Sequence, residues 1–219
     1  GTISGGSFDG DVSNRGLISS GSFSGTVYNV GNGIEGASIT GGSFPGYVNN
    51  DGSISGGSFS GAYNGKGATI SGGSFSGSIS NYSSITGGSF SGRIYNYSGS
   101  SSSPSSISGA TINALESYSS AENVKILGTY TPKDSAKLAS VYHRVNGNDT
   151  LFDCGKTLLE NLGGGTWYDA AGAQVDTDDA VPPVYTSYHS DAPYTITIAD
   201  GIQGGSISSD RPAANEGET

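Results

Sequence analysis

Three aspartates near the carboxyl end of the chain have the spacing of a candidate metal site. Asp176, Asp178 and Asp179 lie close together along the chain, and calcium is bound by several oxygen ligands that converge on the ion. Because Pro182 and Pro183 follow at once, we expect the three aspartates in a loop, where solvated carboxylates are also common. The sequence therefore leaves two interpretations open, a calcium site and a solvated acidic loop.

A second group of candidate binding residues is aromatic. Several tyrosines stand at or near positions that the repeat described below predicts to point outward, and aromatic rings of this kind stack on sugars. Stacking of the rings on one another between repeats explains them as well and is the simpler interpretation. The candidate carbohydrate-binding residues are Tyr28, Tyr47, Tyr95, Tyr97 and Trp167.

The residues of the common catalytic centres are scarce. Histidine occurs only at His143 and His189, so a Ser-His-Asp triad would depend on one of these two. Cys154 is the single cysteine and is interpreted as a small buried hydrophobic residue. A glycosidase needs two carboxylates at a fixed separation, and Asp9 and Asp11 are interpreted as solvated charges or a weak cation site. We expect a protein that is not an enzyme and has no cofactor.

A short repeat over residues 1–97 must position the tyrosines and aspartates of that segment. An isoleucine precedes each repeated phenylalanine by five residues, and a third bulky residue follows it by four. Successive copies lie 15 or 16 residues apart, with one interval of 21. Such a period is too short for helix-pair repeats and is typical of β-solenoid coils. The three series are Ile3, Ile18, Ile39, Ile54, Ile70 and Ile85; Phe8, Phe23, Phe44, Phe59, Phe75 and Phe90; and Val12, Val27, Val48, Tyr63, Ile79 and Ile94.

Alternation within each copy predicts which side chains form the core. Phe75, Gly77 and Ile79 alternate with serines, so the bulky residues are expected inside and the serines outside. The glycine is expected because a narrow coil leaves no room for a third side chain, and the glycine pair before each phenylalanine predicts a corner with positive φ. Left-handed asparagines are expected at a second corner. These asparagines are Asn14, Asn29, Asn50, Asn81 and Asn96.

The fold class predicted is all-β, a single-stranded parallel β-solenoid with coils of about 15 residues and a small mixed insertion or cap. Residues 1–130 are assigned to the solenoid, with six clear coils over 1–97, a loop over 98–106 and degenerate coils over 107–130. Residues 131–195 are assigned to the insertion or cap, and residues 196–219 to a returning solenoid-like strand and a tail.

Local signals within the insertion predict its elements. Asn146-Gly147 is a strong hairpin signal, and a second hairpin is expected over 167–175. A short helix is expected over 156–162, with Asp153 as its N-cap and Gly163 as its C-cap.

Charge excludes several classes of partner. The chain has a formal net charge of −10, with 9 basic and 19 acidic residues, most of the acidic ones in its second half. Without a basic stripe, nucleic acid and anionic membrane surfaces are not expected as partners. No apolar run approaches the roughly 18 residues of a membrane span. Because the chain starts in the middle of a repeat, we interpret it as a piece of a longer protein.

The segment Gly155–Leu162, followed by Gly165–Val175, resembles a module of large adhesin-like surface proteins of gut Firmicutes. In those proteins the module accompanies Gly/Ser-rich β-helical repeats that are similar to residues 1–97. The resemblance implies an extracellular location at the cell surface, with host or bacterial glycans or another surface protein as partners. It assigns no functional residues.

The leading hypothesis is a non-catalytic structural or adhesion module, a β-solenoid stalk of a bacterial cell-surface protein. The alternative is a carbohydrate-binding or polysaccharide-cleaving β-helix, suggested by the tyrosines. Ice binding is a minor alternative, because hydroxyl side chains flank the repeated isoleucines, as in Thr2-Ile3-Ser4 and Thr69-Ile70-Ser71.

Overall fold

The computed structural model describes residues 1–31, 36–97, 105–133, 136–163, 165–176 and 178–190. These residues are nearly all in strands and turns, with one short helix among them. They form two compact units, one of Gly1–Tyr142 with Pro183–Tyr185 and the other of His143–Pro182 with the described residues from Thr186 onward. The all-β class predicted from the repeat is therefore confirmed.

The first unit is a parallel β-solenoid. Each strand pairs in parallel with the equivalent strands of the coils before and after it, and a coil contains three strand segments, which carry the isoleucine, the phenylalanine and the third bulky residue in turn. The strands are β1 (Thr2–Phe8), β2 (Val12–Asn14), β3 (Leu17–Phe23), β4 (Val27–Asn29), β5 (Ser38–Ile39), β6 (Ser43–Asn50), β7 (Ser53–Ile54), β8 (Ser58–Asn64), β9 (Thr69–Ile70), β10 (Ser74–Phe75), β11 (Ile79–Asn81), β12 (Ser84–Ile85), β13 (Ser89–Asn96), β14 (Ser106–Ile107), β15 (Thr111–Ser117) and β16 (Lys125–Pro132).

Like residues stack on like residues through the core of this unit. Ile39 pairs with Ile54, and Phe44 pairs with Phe59, in the registers that the repeat predicts. Neighbouring phenylalanine rings are stacked with centroids 4.5–4.9 Å apart and planes within 12°. This distance equals the usual spacing of paired strands, so the core consists of continuous columns of one residue type.

The fourth coil departs from the prediction. Tyr63 was expected in the core, but Ala62 takes the inward position and pairs with Val48 on one side and Ile79 on the other. Ala62 is fully buried, whereas Tyr63 is only half-buried. The coil is one residue shorter between its phenylalanine and its asparagine, Asn64, so counting two residues back from that asparagine finds the core residue.

The asparagines form a buried hydrogen-bonded ladder, and this corrects the prediction of left-handed corners. The only non-glycine residues with positive φ in the described part of the chain are Asn123 and Asn146. The repeated asparagines instead end the third strand segment with their side chains inside, where each Nδ2 donates to the Oδ1 of the next asparagine at 2.7–2.8 Å. The rungs are Asn14, Asn29, Asn50, Asn64, Asn81 and Asn96, the last of which donates to the Ser117 hydroxyl.

The two glycine positions have different causes. The second residue of each glycine pair has the positive φ that was predicted, for example 100° at Gly73 and 106° at Gly88. Glycine also recurs two residues after each phenylalanine, where the sequence analysis expected a narrow interior to exclude a side chain. The structure shows a different reason. A Cβ on Gly77 would lie 1.8 Å from the backbone oxygen of Ser60 in the preceding coil. Close approach of successive backbones therefore selects glycine there.

The solenoid continues beyond the six clear coils. Ile112 replaces phenylalanine and pairs with Phe90, and the next pair joins Ile112 to Ile126. Isolated parallel bridges then connect Ala121 to Leu138 and Val124 to Val141. Parallel pairing thus extends past residue 130, where the sequence placed the end of the degenerate coils.

The second unit contains the predicted hairpins and the predicted helix. Its sheet has the order β18-β17-β20-β19, and Asn146 and Gly147 form the left-handed turn between β17 and β18. A turn with Asp169 and Gly172 closes the second hairpin. The elements are β17 (Ser140–Val145), β18 (Asn148–Asp153), α1 (Leu158–Leu162), β19 (Tyr168–Asp169) and β20 (Ser187–His189).

The start of the helix differs from the prediction. Thr157, not Asp153, is the N-cap, and it forms a capping box with Glu160. The Asp153 carboxylate instead accepts a hydrogen bond from the Gly155 amide at 2.8 Å, so it shapes the turn before the helix. Gly163 is the C-cap, as expected. The predicted return of the solenoid over 196–219 and most of the predicted loop over 98–106 lie outside the described residues.

Candidate functional site

The third strand segment of each coil carries the side chains that vary most between coils. Its inward positions hold a bulky residue and an asparagine, so the residue between them points outward. Paired strands align these outward residues in one row along the solenoid, and tyrosine occurs there in alternate coils. The row is Ser13, Tyr28, Asn49, Tyr63, Ser80, Tyr95 and Glu116.

A neighbouring group of tyrosines is stacked. Tyr82, Tyr97 and Tyr118 follow the ladder residues of three successive coils. Tyr97 lies 4.7 Å from Tyr82 and 5.7 Å from Tyr118 between ring centroids, with interplanar angles of 13° and 14°. Tyr95 also stacks on Tyr97, at 6.3 Å. Neighbouring rings therefore cover both faces of Tyr97, and the expected stacking between coils accounts for this tyrosine.

Tyr28 and Tyr47 are arranged differently. Each is 43% exposed, and neither makes a ring-to-ring contact with the other described residues. Small side chains, Ser13 and Asn49, flank Tyr28 in its row. Tyr47 pairs with Gly61, and its Cε2 lies 3.4 Å from the position that a Cβ on this glycine would take. The absence of a side chain at Gly61 leaves room beside the Tyr47 ring.

These tyrosines form one group with Tyr63. The pKa of the Tyr47 hydroxyl is raised, first by burial and then by the nearby Tyr63 hydroxyl. Tyr47 points outward two residues before Asn49 in β6, and Asn49 pairs with Tyr28 and Tyr63 on either side. We call Tyr28, Tyr47, Asn49 and Tyr63 the tyrosine patch.

One group of charged side chains further along the solenoid is paired. The Glu116 carboxylate contacts the Arg93 guanidinium at 3.3 Å and the Lys133 ammonium at 3.8 Å, and Arg93 lies 5.8 Å from the centroid of the Tyr95 ring. At the other end, Asp9 accepts a hydrogen bond from the Ser24 hydroxyl and Asp11 one from the Thr26 amide. These two carboxylates thus link the first coil to the second.

The other two faces of the solenoid carry hydroxyl groups. Serines on both sides of the phenylalanine column line a shallow groove that includes Ser58, Ser60 and Ser74. Serine and threonine also flank the isoleucine column, except at Leu17. The Thr40 hydroxyl bonds to the carbonyl of Ile18 at 3.4 Å, so part of this hydroxyl surface is used to join coils.

In the second unit, Trp167 occupies a core position. It is 7% exposed, and its Nε1 has no hydrogen-bond partner among the described residues. A buried indole offers no open face to a sugar, so this position does not support the binding role predicted for Trp167.

The three aspartates considered as metal ligands lie in a loop, as expected. The described residues contain no group of three or more His, Cys, Asp or Glu side chains that could hold a metal. The Asp176 carboxylate instead accepts a hydrogen bond from the Asp178 amide at 3.2 Å, and the Asp179 carbonyl accepts one from Leu158. The Asp176 carboxylate and the Asp179 carbonyl shape the loop and hold the helix start, and the calcium site stays a prediction.

The two histidines have structural positions. His143 is fully buried, its Nδ1 accepts a hydrogen bond from the Thr186 amide at 3.2 Å, and its ring packs edge-on against Phe152 and Tyr188. Burial lowers the pKa of His143 to about 4. His189 lies beside Tyr168 with its Nε2 3.0 Å from a backbone carbonyl. The Nε2 of His143 has no hydrogen-bond partner among the described residues.

The sequence did not predict that Asn64 is a rung of the ladder or that Tyr63 points outward, where its ring contacts Tyr82. The signal that locates both is the spacing of two residues between the inward bulky residue and the asparagine. No helix in the described part of the chain has the length and apolarity needed to cross a membrane. Comparison with protein families, with curated proteins and with solved structures found no match.

Proposed function

We propose that this chain is a non-catalytic structural segment, a β-solenoid stalk, of an extracellular bacterial surface protein. The observation that supports this best is the asparagine ladder, which runs without interruption through six coils beside the phenylalanine column. Both features join each coil to the next, so the fold is extended by adding coils and needs no other domain for its core.

The outward side chains support the same role. Two of the three faces carry mainly serine and threonine. These side chains hydrate a repetitive surface without creating a strong electrostatic field. The six clear coils also carry only seven charged side chains over residues 1–97. The resemblance of residues 155–175 to a module of bacterial surface proteins suggests the location at the cell surface.

The location is tested with antibodies raised against this chain. Intact cells of the bacterium that carries the gene are expected to be labelled, and mild protease treatment of the intact cells is expected to remove the label. Labelling that appears only after lysis would contradict an extracellular role. Release of reducing or unsaturated sugars from a panel of polysaccharides incubated with the chain would contradict the non-catalytic role.

Ice binding remains a second candidate because hydroxyls flank the isoleucine column through seven coils, from Thr2 to Ser108, with Leu17 as the exception. A regular hydroxyl face of this kind can hold ordered water. The test is a thermal-hysteresis measurement on the purified chain. A gap between freezing and melting that disappears when Thr40 and Thr69 are replaced by lysine would support it, and the absence of a gap would exclude it.

A further inference from the structure

The tyrosine patch places three aromatic rings on a hydroxyl-rich surface. Tyr28 and Tyr47 are each 43% exposed, and the half-buried Tyr63 contacts Tyr82 with ring centroids 5.3 Å apart and planes tilted by 39°. We propose that Tyr28, Tyr47, Asn49 and Tyr63 bind a neutral oligosaccharide that lies along the solenoid. One face of the stalk would then bind a ligand, which is a role beyond the structural one proposed above.

The exposure of the two outer rings is the first observation. Tyr28 and Tyr47 are each 43% exposed, although the outward positions of the coils around them hold mainly serine and threonine. Burying a large aromatic ring is favourable, so an exposed pair of rings on a rigid sheet marks a binding surface. Each ring also keeps a polar hydroxyl, which suits a ligand that combines apolar and polar groups.

The open faces of these rings are the second observation. Tyr97 is sandwiched between Tyr82 and Tyr118, whereas the row places only Ser13 and Asn49 beside Tyr28. A pyranose ring stacks its C–H bonds on an aromatic face, and this requires a face that no other ring covers. Tyr28 meets that requirement and Tyr97 does not.

The amide of Asn49 is the third observation. The six asparagines of the ladder are all hydrogen-bonded inside the solenoid, but Asn49 points outward and its side chain makes no hydrogen bond with the described residues. It stands in the row between Tyr28 and Tyr63. An amide offers both donors and an acceptor, so Asn49 is placed to bond the hydroxyls of a sugar held between two rings.

The spacing of the row favours an extended chain over a single sugar. Tyr28 and Tyr63 are two coils apart in one row, which corresponds to roughly 9–10 Å for two strand spacings. Two pyranose units of an extended β-linked chain cover a similar length. One sugar on Tyr28 and another on Tyr63 would leave the unit between them beside Asn49 and Tyr47.

The charges favour a neutral ligand. The patch consists of tyrosines and an asparagine and brings no formal charge. The coils around it carry charges of both signs, acidic at Asp11 and Asp51 and basic at Arg15 and Lys66. The described residues there thus offer no cluster of basic side chains to an anionic glycan. A uronate-rich chain is therefore not the expected ligand.

Serine variants test the proposal without disturbing the fold. Serine occupies the row position of Tyr28 in two other coils, at Ser13 and Ser80, so Tyr28→Ser fits the repeat. The probes are immobilised hexasaccharides of β-1,4-glucose, β-1,4-xylose, β-1,4-mannose and β-1,4-N-acetylglucosamine, with hexagalacturonate as the anionic control. We expect at least one neutral probe to bind and hexagalacturonate not to bind.

The variants separate ring stacking from other causes. Tyr28→Ser and Tyr47→Ser are each expected to weaken binding at least tenfold, while Tyr28→Phe keeps the ring and stays within about threefold of the wild type. Tyr118→Ser, in the stacked group, is the matched control and is expected to leave binding unchanged. A melting curve for each variant establishes that it is folded.

Three results would overturn the proposal. They are the absence of binding to every neutral probe, full binding by folded Tyr28→Ser and Tyr47→Ser, and an equal loss in Tyr118→Ser. None of them affects the proposed stalk role, which is tested separately by labelling of intact cells.

Discussion

The side chain of Asn50 donates from its Nδ2 to the Oδ1 of Asn64 at 2.8 Å, with both residues completely buried. Asn50 in turn accepts from Asn29 at 2.7 Å, and its Oδ1 also accepts from the Gly52 amide at 3.2 Å. Each amide thus bonds to the coils on both sides and to the corner that follows it. The ladder is the polar counterpart of the phenylalanine column.

Removing one rung in the middle of the ladder is expected to be costly. Asn50→Ala leaves the Oδ1 of Asn64 without its donor and deprives Asn29 of its main acceptor. Each buried group left without a partner costs about 1–3 kcal/mol, so for these two groups the free energy of unfolding should fall by about 2–6 kcal/mol, measured by urea denaturation. Asn14→Ala at the first rung removes a partner from one ladder asparagine, Asn29, and the acceptor of the Gly16 amide. A loss as large as that of Asn50→Ala would contradict this account.

Glycine is expected to be essential where successive backbones approach each other. A Cβ at Gly77 would lie 1.8 Å from the Ser60 oxygen, but a Cβ at Gly10, the same repeat position in the first coil, has nothing within 4 Å. Gly77→Ala should lower the free energy of unfolding by about 1–3 kcal/mol, as overpacking does, and Gly10→Ala should change it by less than about 0.5 kcal/mol. Equal effects of the two substitutions in thermal melts would show that close approach is not the cause.

The second unit is expected to lose stability as the pH falls below neutrality. Burial lowers the pKa of His143 to about 4 from its ordinary 6.5, so between these values the unfolded chain binds a proton that the folded unit does not. Stability is therefore complete above pH 6.5 and declines below it, by about 2 kcal/mol at pH 5 and roughly 3 kcal/mol at pH 4.

The fluorescence of Trp167, the one tryptophan of the chain, reports unfolding of this unit directly. His143→Asn keeps an acceptor for the Thr186 amide but does not titrate, so its stability should change much less between pH 7.5 and 5. An unchanged slope in His143→Asn would show that another group causes the effect.

Cys154 is expected to react slowly with alkylating agents. Burial, and then the neighbouring Asp153 carboxylate, raise the pKa of its thiol to about 11. At pH 8 the thiolate population is then roughly 100-fold smaller than that of a cysteine with a pKa of 9. The rate of iodoacetamide modification should be lower by a similar factor and should rise with pH well beyond pH 9. Asp153→Asn should raise it, and a rate equal to that of a model thiol at pH 8 would contradict the raised pKa.

The corrections to the expected site have one physical source. The repeat predicts that tyrosines point outward, yet it does not distinguish Tyr97, whose faces are covered, from Tyr28, whose faces no ring of the described residues covers. That difference depends on which side chains stand one coil away, namely Tyr82 and Tyr118 in one case and Ser13 and Asn49 in the other. The sequence likewise predicts that Asp176 lies in a loop. It does not predict whether the side chains of Asp176, Asp178 and Asp179 converge.

Periodicity alone determined the solenoid, the register of its isoleucine and phenylalanine columns and the positive φ of the second glycine in each pair, because these follow from residue spacing along one coil. The tertiary structure decided the rest. It turned the asparagines inward, placed Ala62 in the core instead of Tyr63, and set Gly77 against Ser60. Each of these depends on contacts between successive coils, whose lengths differ by a residue or more. The residue pattern within one coil does not determine which atoms of the next coil lie against it.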